Sequence, residues 1–292
     1  MTLIPVTAVV PVKNEEKNLP ACLTKLGSFT EVLVVDSGST DRTREIAEAA
    51  SAKVVNFAWQ GGFPKKRNWV LLNHSFSTPW VLFVDADEHL TDEFLQELSA
   101  KIADDRYVGF WLNYRIHFLG RALNHGVPQR KLALFKVGAG LYERIDDLRW
   151  SELDMEVHEH PVLQGSIGEI SARIDHLDFR GLHHLIDRHN SYSTWEANRY
   201  LQLGDIPRDA QRLSRRQKAK YRYMARWWSP LAYFMLTYIV RGGFLDGRPG
   251  FVYASFKAYY FLQIREKIAE LSARRGSSGG DVESEERAAL ID

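Results

Sequence analysis

Apolar runs and polar stretches alternate along the first third of the chain in a pattern that predicts strands followed by helices. Short runs rich in β-branched and aromatic residues are typical of buried strands in a parallel sheet, and they cover residues 7–13, 31–36, 53–59 and 80–85. Helical spacing covers residues 18–26, 41–50 and 65–74, and a further helix should follow Thr91. Strands that alternate with helices imply βαβ units. We therefore expect an α/β fold with a mostly parallel, Rossmann-like sheet flanked by helices.

The pattern changes near residue 107, where further strands are expected, and again from residue 181 onward, where it becomes helical. Strands are expected at residues 107–118, 131–137, 155–163 and 169–176, and helices at 182–203, 208–226 and 251–271. Asp41 and Thr91 are expected to cap helices, and Gly27 to end one. These patterns divide the chain into an α/β domain over residues 1–180, a helical region over 181–275 and a tail over 276–292. The tail consists mainly of small and charged residues, and this composition predicts disorder.

Composition narrows the class of protein. The 292 residues are 45% hydrophobic and 26% charged, so a substantial core is expected. A formal net charge of +1 argues against nucleic acid as a main partner. Cys22 is the only cysteine, which excludes an intrachain disulfide and fits a reducing cytosol. The apolar start, residues 3–12, has no basic flank and contains two prolines, so it is expected to be a strand rather than a signal peptide.

Acidic clusters follow two of the expected strands directly. One cluster begins at Asp36 and reads Asp-Ser-Gly-Ser-Thr-Asp; the other begins at Asp85 and reads Asp-Ala-Asp-Glu. Alone, each is compatible with a polar turn. At the carboxyl edge of a parallel sheet they lie where open α/β folds bind ligands. Crowded carboxylates repel unless a cation or a hydrogen-bonding ligand separates them, and Mg²⁺ commonly combines one or two carboxylates with substrate phosphates. The pattern therefore predicts a metal-assisted site for a nucleoside diphosphate.

These motifs together resemble glycosyltransferase family 2. The resemblance rests on residues 10–15 (Val-Pro-Val-Lys-Asn-Glu), 34–41, 84–88 and the basic segment 61–68. Residues 129–135, 157–159 and 242–247 resemble a bacterial branch that adds sugars to lipopolysaccharide core or exopolysaccharide precursors. The resemblance implies a GT-A fold and metal-dependent transfer with inversion. One departure is Ser37, because many members carry a second aspartate there; the contact to the base is then expected from Asp36 alone.

The resemblance also implies roles for individual residues. Pro11, Lys13 and Glu15 would line the pocket for the base and ribose, and Asp36 would hydrogen-bond the base, with uracil expected. The later motifs supply Asp85 near the ribose, Asp87 as the ligand to Mg²⁺ or Mn²⁺ and Arg67 as a charged donor to the phosphates. A solvated helix face is the alternative for Arg67.

Inverting transfer needs a base that takes the proton of the acceptor hydroxyl. Glu159 is the candidate, with Glu156 and Asp154 as rivals. A strand at 155–163 would point Glu159 away from its two histidine neighbours, and a solvated strand is the alternative for the whole segment. His158 is a candidate extra ligand of the catalytic metal. A zinc site without a recognised ligand motif is a further alternative, formed by His158, His160 and His176.

Residues 212–240 suggest contact with a membrane surface. Six lysines and arginines between residues 215 and 226 precede Trp227 and Trp228, and a nearly uncharged segment follows. Basic residues attract anionic headgroups and tryptophan favours the interface. The segment is too short to span a bilayer and contains Pro230, so an interfacial or re-entrant segment is expected. The alternative is a helix buried on the catalytic domain. We expect a cytoplasmic protein, peripheral on the inner face of the cell membrane.

Other classes of protein fit these motifs less well. A phosphohydrolase of the haloacid-dehalogenase type opens with its Asp-x-Asp, whereas here three strands come first and Glu88-His89 follows. A dehydrogenase would need Gly-x-Gly-x-x-Gly after the first strand. A polyprenyl-phosphate glycosyltransferase and a non-catalytic scaffold that binds sugar nucleotides stay open. The expected function is transfer of a sugar from a nucleotide-sugar, with a UDP-sugar favoured, to a hydroxyl of a lipid-linked glycan.

Overall fold

The chain forms two compact units. A computed structural model describes residues 3–157, 159–177, 180–206 and 213–288, with backbone alone at 215–216 and 276–288. The first unit comprises residues 3–124 and 128–177, and the second comprises 125–127 and the chain from residue 180 onward. Each unit has its own cluster of buried apolar side chains. The division lies next to residue 180, where the sequence pattern changes.

The first unit is built on one nine-stranded sheet. Its strands are β1 (Ile4–Val12), β2 (Phe29–Asp36), β3 (Lys53–Asn56), β4 (Trp80–Phe83), β5 (Glu88–His89), β6 (Tyr107–Phe118), β7 (Arg121–Ala122), β8 (Gln129–Lys136) and β11 (Ser166–Leu177). A separate antiparallel pair is formed by β9 (Gly140–Tyr142) and β10 (Pro161–Leu163). The helices of the unit are α1 (Leu19–Leu26), α2 (Thr43–Ala49), α3 (Lys66–Asn73) and α4 (Asp92–Lys101).

The order of the strands places the ends of β1, β2 and β4 side by side. The sheet runs β3-β2-β1-β4-β8-β6-β11-β5. The first four strands are parallel, β8 is antiparallel to both β4 and β6, and β11 runs parallel to β6. The central strands are continuous apolar runs because both of their faces are covered. The predicted α/β architecture, a mostly parallel sheet flanked by helices, is confirmed.

Local signals at the ends of the helices were only partly right. Thr91 caps α4 as predicted, since its side chain accepts a hydrogen bond from the backbone N–H of Phe94 at 3.2 Å. Asp41 instead precedes α2 by two residues and accepts a hydrogen bond from the backbone N–H of Thr43. Gly27 follows the last residue of α1 as predicted, although its φ of −63° is right-handed and not the left-handed conformation common at helix ends.

The predicted strand over 155–163 was wrong for most of its length. Only Pro161–Leu163 forms a strand, and the described residues 155–157 and 159–160 do not. The segment lies against the start of α3, where the backbone N–H of Lys66 donates to the carbonyl of Asp154 at 2.9 Å. Side chains of this segment cap the helix instead of joining a sheet. His158 lies outside the described residues.

The second unit is helical. It contains α5 (Gly181–Gly204), α6 (Arg215–Tyr223), α7 (Ser229–Phe234), a π-helical turn (Met235–Val240), a 3₁₀ turn (Gly243–Asp246) and α8 (Gly247–Ala288). The helix predicted over 182–203 is confirmed, and that over 251–271 lies within α8. Residues 207–212, the start of the helix predicted over 208–226, lie outside the described residues. The predicted disordered tail coincides with the end of α8 and with residues 289–292, which also lie outside them.

The core of the second unit lies between α5, α6 and α8. Ala197, Met224, Ile264 and Ile268 are its buried apolar residues. Ser214 begins α6 with a capping box, in which its hydroxyl accepts from the backbone N–H of Gln217 and the Gln217 side chain accepts in return. Across the described part of the chain, no helix combines the length and the apolar character needed to cross a membrane.

Candidate functional site

The carboxyl ends of β1 and β2 bring the first two motifs together. Asp36 is the last residue of β2 and pairs in register with Val12 at the end of β1. Its side chain is buried, and Oδ1 accepts hydrogen bonds from the backbone N–H of Ser39 at 2.9 Å and from its hydroxyl at 2.6 Å. These bonds fix the turn that follows the strand. Asp36 is therefore held rigidly at the edge of the sheet.

The loop after β1 is tied to the loop after β2. Asn14 has a left-handed φ of +56°, and its side-chain oxygen accepts from the backbone N–H of Thr40 at 2.8 Å. The backbone N–H of Glu15 donates to the hydroxyl of Thr43 at 2.7 Å. Pro11 is buried and Lys13 is exposed. Pro11, Lys13 and Glu15 thus lie at the same sheet edge as Asp36, as the sequence predicted.

Asp85, directly after β4, is held between two cations. Its Oδ1 accepts from the guanidinium of Arg67 at 2.7 Å and its Oδ2 accepts from the ammonium of Lys131 at 2.6 Å. Burial alone would raise the pKa of Asp85, but the positive charges of Lys131 and Arg67 lower it well below its usual range. Asp85 is therefore ionised at any physiological pH.

Lys131 is a site residue that sequence reasoning missed. Its ammonium also donates to Glu88, so it lies between two carboxylates of the second motif. Burial and the charge of Asp85 raise the pKa of Glu88, and Lys131 opposes that rise. The signal available in the sequence was the segment 129–135, noted as a resemblance without a role. Lys131 supplies the positive charge that the acidic cluster requires.

Asp87 is paired with His176, near the end of β11. Oδ2 of Asp87 lies 3.1 Å from Nε2 of His176, and its carbonyl accepts from the backbone N–H of Leu177 at 2.7 Å. Burial lowers the pKa of His176, but the adjacent carboxylate outweighs it and raises the pKa above its ordinary value. Sequence reasoning had placed His176 only in an alternative zinc site. The structure brings it to the second acidic motif instead.

Arg67 points into the protein, not toward solvent. It is the second residue of α3, and its guanidinium bonds Asp85 and the carbonyl of Glu156 while lying over the ring of Tyr142. The carboxylate of Glu156 accepts from the backbone N–H groups of Arg67 and Asn68 at 2.8 and 2.9 Å. An anionic side chain at this helix N-terminus satisfies free N–H groups and complements the helix dipole. The arrangement makes Arg67 a group that orients Asp85.

The predicted base, Glu159, lies in a buried ion-pair triad. The ammonium of Lys65 donates to Glu159 at 2.8 Å and to Asp147 at 2.5 Å. Burial works against the charged form of Lys65, but the two carboxylates raise its pKa above the usual value. Glu156 and Glu159 both line a small pocket, together with Gly62, Phe63, Lys65, Asn68, Glu143 and Ile145.

Asp154, a rival base, is engaged beside the first motif. Its Oδ2 accepts from the hydroxyl of Ser37 at 2.6 Å and lies 3.3 Å from the ammonium of Lys66. Lys66 also donates to the carbonyl of Val12 at 3.2 Å, and burial lowers its pKa. A carboxylate therefore does stand next to Asp36, although it comes from residue 154 and not from residue 37.

The donor atoms available for a metal are few but suitable. Among the residues that the structure describes, no group of three or more histidine, cysteine or acidic side chains is arranged around a metal position. Asp87 and His176 offer one carboxylate and one imidazole 3.1 Å apart. Sites that share a cation with a bound diphosphate commonly use only one or two protein ligands and take the rest from phosphate and water. The side chains present fit a divalent cation of that kind.

Comparison with known proteins identifies the family. The model of the family described as Glycosyl transferase family 2 matches residues 7–159, just over half of the chain. The chain belongs to this family. It is therefore a glycosyltransferase, and the predicted GT-A fold is confirmed. The family match covers β1 to β9 and the acidic motifs described above.

A family member is similar over nearly the whole length of the chain. A lipopolysaccharide core biosynthesis glycosyltransferase, LpsC, from Rhizobium meliloti is 29% identical over 289 residues, with 95% of this chain and 97% of the relative covered. The similarity thus includes the helical second unit as well as the first.

Two solved structures are more distant. TarS from Staphylococcus aureus is 17% identical with a TM-score of 0.46, covering 89% of this chain and 49% of its own. Glucosyl-3-phosphoglycerate synthase from Mycobacterium tuberculosis, solved with Mn²⁺, UDP and glucosyl-3-phosphoglycerate, is 24% identical with a TM-score of 0.30, covering 38% of this chain and 44% of its own. This chain spans less than half the length of either.

Proposed function

We propose that this glycosyltransferase is inverting and metal-dependent, and that it moves a sugar from a UDP-sugar to a hydroxyl of a lipid-linked glycan. The observation that carries the proposal is the meeting of Asp36, Asp85 and Asp87 at one edge of the sheet. Arg67 and Lys131 pair with Asp85, and His176 pairs with Asp87, so these two carboxylates can be held in place before any ligand arrives. A nucleoside diphosphate with its cation suits such an edge.

The donor would lie along the ends of β1, β2 and β4. Pro11, Lys13 and Glu15 would border the base and ribose, and Asp36 would accept a hydrogen bond from the base. Asp85, fixed by Arg67 and Lys131, would accept from the ribose. An ionised carboxylate that is already oriented loses little freedom on binding, which favours affinity.

Asp87 and His176 would hold the divalent cation. Bound there, Mg²⁺ or Mn²⁺ would neutralise charge on the departing nucleoside diphosphate. The bond from the anomeric carbon to the phosphate oxygen breaks with its electron pair on the diphosphate. The acceptor oxygen attacks the opposite face as its proton passes to a base. Glu159 is the proposed base, because its carboxylate is held in position by Lys65 and lines the small pocket beside the start of α3.

The proposed acceptor is part of cell-surface polysaccharide or lipopolysaccharide synthesis. Its support is the similarity to LpsC along both units. A lipid-linked acceptor would bring the enzyme to the inner face of the cell membrane. If the acceptor were instead a polyprenyl phosphate, the acceptor oxygen would already be ionised and Glu159 would be dispensable.

Release of nucleoside diphosphate from the donor tests the proposal. The full chain is incubated with a panel of nucleotide sugars and Mn²⁺ or Mg²⁺, and free nucleoside diphosphate is measured. Asp87→Ala is compared with Asp92→Ala. The control removes the exposed carboxylate of Asp92, on α4, which pairs with Lys25. We expect release from one UDP-sugar by the unaltered chain and by Asp92→Ala. Release by Asp87→Ala should fall at least about 100-fold, the size seen when a charge-stabilising group is lost.

Two results would contradict the proposal. Release that does not depend on the cation, or that survives Asp87→Ala, would exclude the proposed metal site. If no release occurs without acceptor, calorimetry with UDP and Mn²⁺ decides whether the donor binds. A chain that binds no UDP in the presence of Mn²⁺ would contradict the proposed donor site.

A further inference from the structure

Exposed apolar side chains are concentrated in one stretch of the second unit, residues 227–251. We call the apolar face the set Trp227, Leu231, Met235, Ile239, Val240 and Leu245, all of which are exposed. Trp227 and Val240 expose 74% and 72% of their surface. Leu231, Met235 and Ile239 recur every four residues, which places them on one side of the helical segment. Continuous exposed apolar surface of this kind marks an interaction site.

The opposite side of the same segment packs against α8. Phe234 and Tyr238 lie with their ring centroids 6.0 and 5.5 Å from that of Phe251. Tyr233 packs on Phe261 at 4.5 Å, and Thr237 is buried. The segment therefore already has a partner within the second unit, and the apolar face is additional to that contact. An ordinary helix at a protein surface would carry polar residues on its outer side.

The charged residues that border the apolar face are all basic. Arg222 and Arg226 precede it, Arg241 and Arg248 follow Val240, and all four are exposed. In the part of the chain that the structure describes, none of the four has a carboxylate partner within 4.0 Å. The one acidic residue of the stretch, Asp246, accepts from the backbone and ring of His125 at 2.9 and 3.0 Å. The exposed surface thus combines apolar side chains with uncompensated positive charge.

We propose that the apolar face docks on the surface of a lipid bilayer that carries anionic headgroups. Tryptophan favours the interface between water and hydrocarbon, the aliphatic side chains enter the outer part of the acyl region, and arginines pair with anionic headgroups. The inference rests on the proposed function in one respect. A lipid-linked acceptor would be the reason for this enzyme to bind a membrane. The inference specifies the residues that make the contact and the charge of the lipid.

A second copy of the chain fits this surface less well. In a symmetric dimer the same patch of each copy faces the other. Arg226, Arg241 and Arg248 of both copies would then border one interface, and like charges brought together oppose association. Anionic headgroups remove that repulsion. The charges therefore favour a membrane as the occupant.

Vesicle flotation of the full chain tests the proposal. The vesicles contain either phosphatidylcholine alone or phosphatidylcholine mixed with phosphatidylglycerol. Leu231→Asp is compared with Val162→Asp as a matched control. The two side chains are 62% and 61% exposed, and Val162 lies on β10 of the first unit, away from the apolar face in the sequence. We expect binding to the anionic vesicles, a loss of more than tenfold in Leu231→Asp and no loss in Val162→Asp.

Two further variants separate the apolar contribution from the electrostatic one. Arg226→Gln and Arg241→Gln should each weaken binding to anionic vesicles about fivefold, which corresponds to about 1 kcal/mol per basic residue. They should leave the weaker binding to phosphatidylcholine unchanged. Vesicles should shift the fluorescence of the unaltered chain to the blue, and Trp227→Phe should reduce that shift. Melting curves confirm that every variant is folded.

Several outcomes would overturn the proposal. These are no binding to anionic vesicles, equal binding to both kinds of vesicle, or equal losses in Leu231→Asp and Val162→Asp. A dimer in sedimentation that Leu231→Asp dissociates, with no vesicle binding, would assign the face to a second copy. Release of nucleoside diphosphate in lipid-free solution should be unchanged in Leu231→Asp. Vesicle binding by a chain that neither releases nucleoside diphosphate nor binds UDP with Mn²⁺ would leave docking intact and contradict the proposed donor site.

Discussion

The ammonium of Lys131 lies 2.6 Å from Oδ2 of Asp85, although 46 residues separate the two in the chain. The register explains the meeting. Leu82 on β4 pairs with Leu134 on the antiparallel β8, so each step forward from Leu82 is a step back from Leu134. Asp85 lies three residues after Leu82 and Lys131 lies three residues before Leu134, so both residues lie near the same end of this pairing. The acidic motif of one strand is therefore neutralised by the first residues of its neighbour.

Replacing Lys131 with methionine should abolish most of the activity. Asp85 and Glu88 would lose their shared partner, and we expect at least about a 100-fold fall in kcat/KM. Stability should fall by about 2 kcal/mol, less than for a fully buried pair because Lys131 is partly exposed. Lys136→Met on the same strand is the control, since its partner Asp105 is almost fully exposed. Kinetics and denaturant unfolding measure both effects; equal losses in the two variants would contradict the assignment.

The triad of Lys65, Asp147 and Glu159 allows base catalysis to be separated from structure. Glu159→Gln and Asp147→Asn each remove one carboxylate charge from the same lysine. If Glu159 is the base, Glu159→Gln should slow transfer to the acceptor about 10²–10⁴-fold while donor binding persists. Asp147→Asn should lower the free energy of unfolding by a similar amount but should reduce the rate of transfer only a little. Single-turnover transfer and calorimetric donor binding make the comparison, and parallel losses in both variants would reduce Glu159 to a structural role.

Replacing Ser37 with aspartate should destabilise this chain. In Ser37→Asp, the new carboxylate would lie beside Asp154, which now accepts a hydrogen bond from Ser37 at 2.6 Å. Two close carboxylates repel, so both the melting temperature and the affinity for UDP should fall. Adding Asp154→Asn should restore much of the loss. A double-mutant cycle in melting temperature tests this coupling; additive effects would show that the two side chains act independently.

Lys257 on α8 should make stability depend on alkaline pH. Burial, together with two nearby cations, lowers the pKa of Lys257 to about 8 from a usual 10.5. Between these values the unfolded chain binds the proton and the folded chain does not, so the free energy of unfolding should rise with pH. The groups that face this lysine are basic or aromatic: Arg188, His189, Lys220, Tyr253 and Tyr260.

Lys257→Met tests that dependence. The variant should lose the rise between pH 8 and 10.5 and should be more stable than the unaltered chain at pH 7, where the folded protein keeps a poorly solvated charge. Lys218→Met, on the exposed side of α6, is the control and should retain the rise. Denaturant unfolding at several pH values measures the slope. A slope that persists in Lys257→Met would assign it to other groups.

Local sequence was sufficient for the parallel half of the sheet. Buried parallel strands are continuous apolar runs, so β1, β2 and β4 and the carboxylates that follow them could be located without any long-range information. The strand over Tyr107–Phe118 was predicted with its observed bounds. Thr91 was a sufficient signal for the start of α4 because its capping bond is local.

The charge partners of the motifs could not be found in the same way. Lys131 and His176 reach Asp85 and Asp87 through the pairing of β8 with β4 and of β11 with β5, and a single sequence does not reveal which distant strands pair. The error over residues 155–160 has a different origin. Glu156 and Glu159 are buried by capping α3 and by binding Lys65, and alternation of polar and apolar residues does not distinguish that use from a strand.

The order in which these residues are synthesised affects the nascent chain. Arg67 is synthesised before Asp85, whereas Lys131 and His176 are synthesised after Asp85 and Asp87. Until β8 and β11 have been made, Arg67 alone of these three partners is present to offset the acidic cluster. We therefore expect the edge formed by β1, β2 and β4 to reach its final arrangement only after β8 has been added.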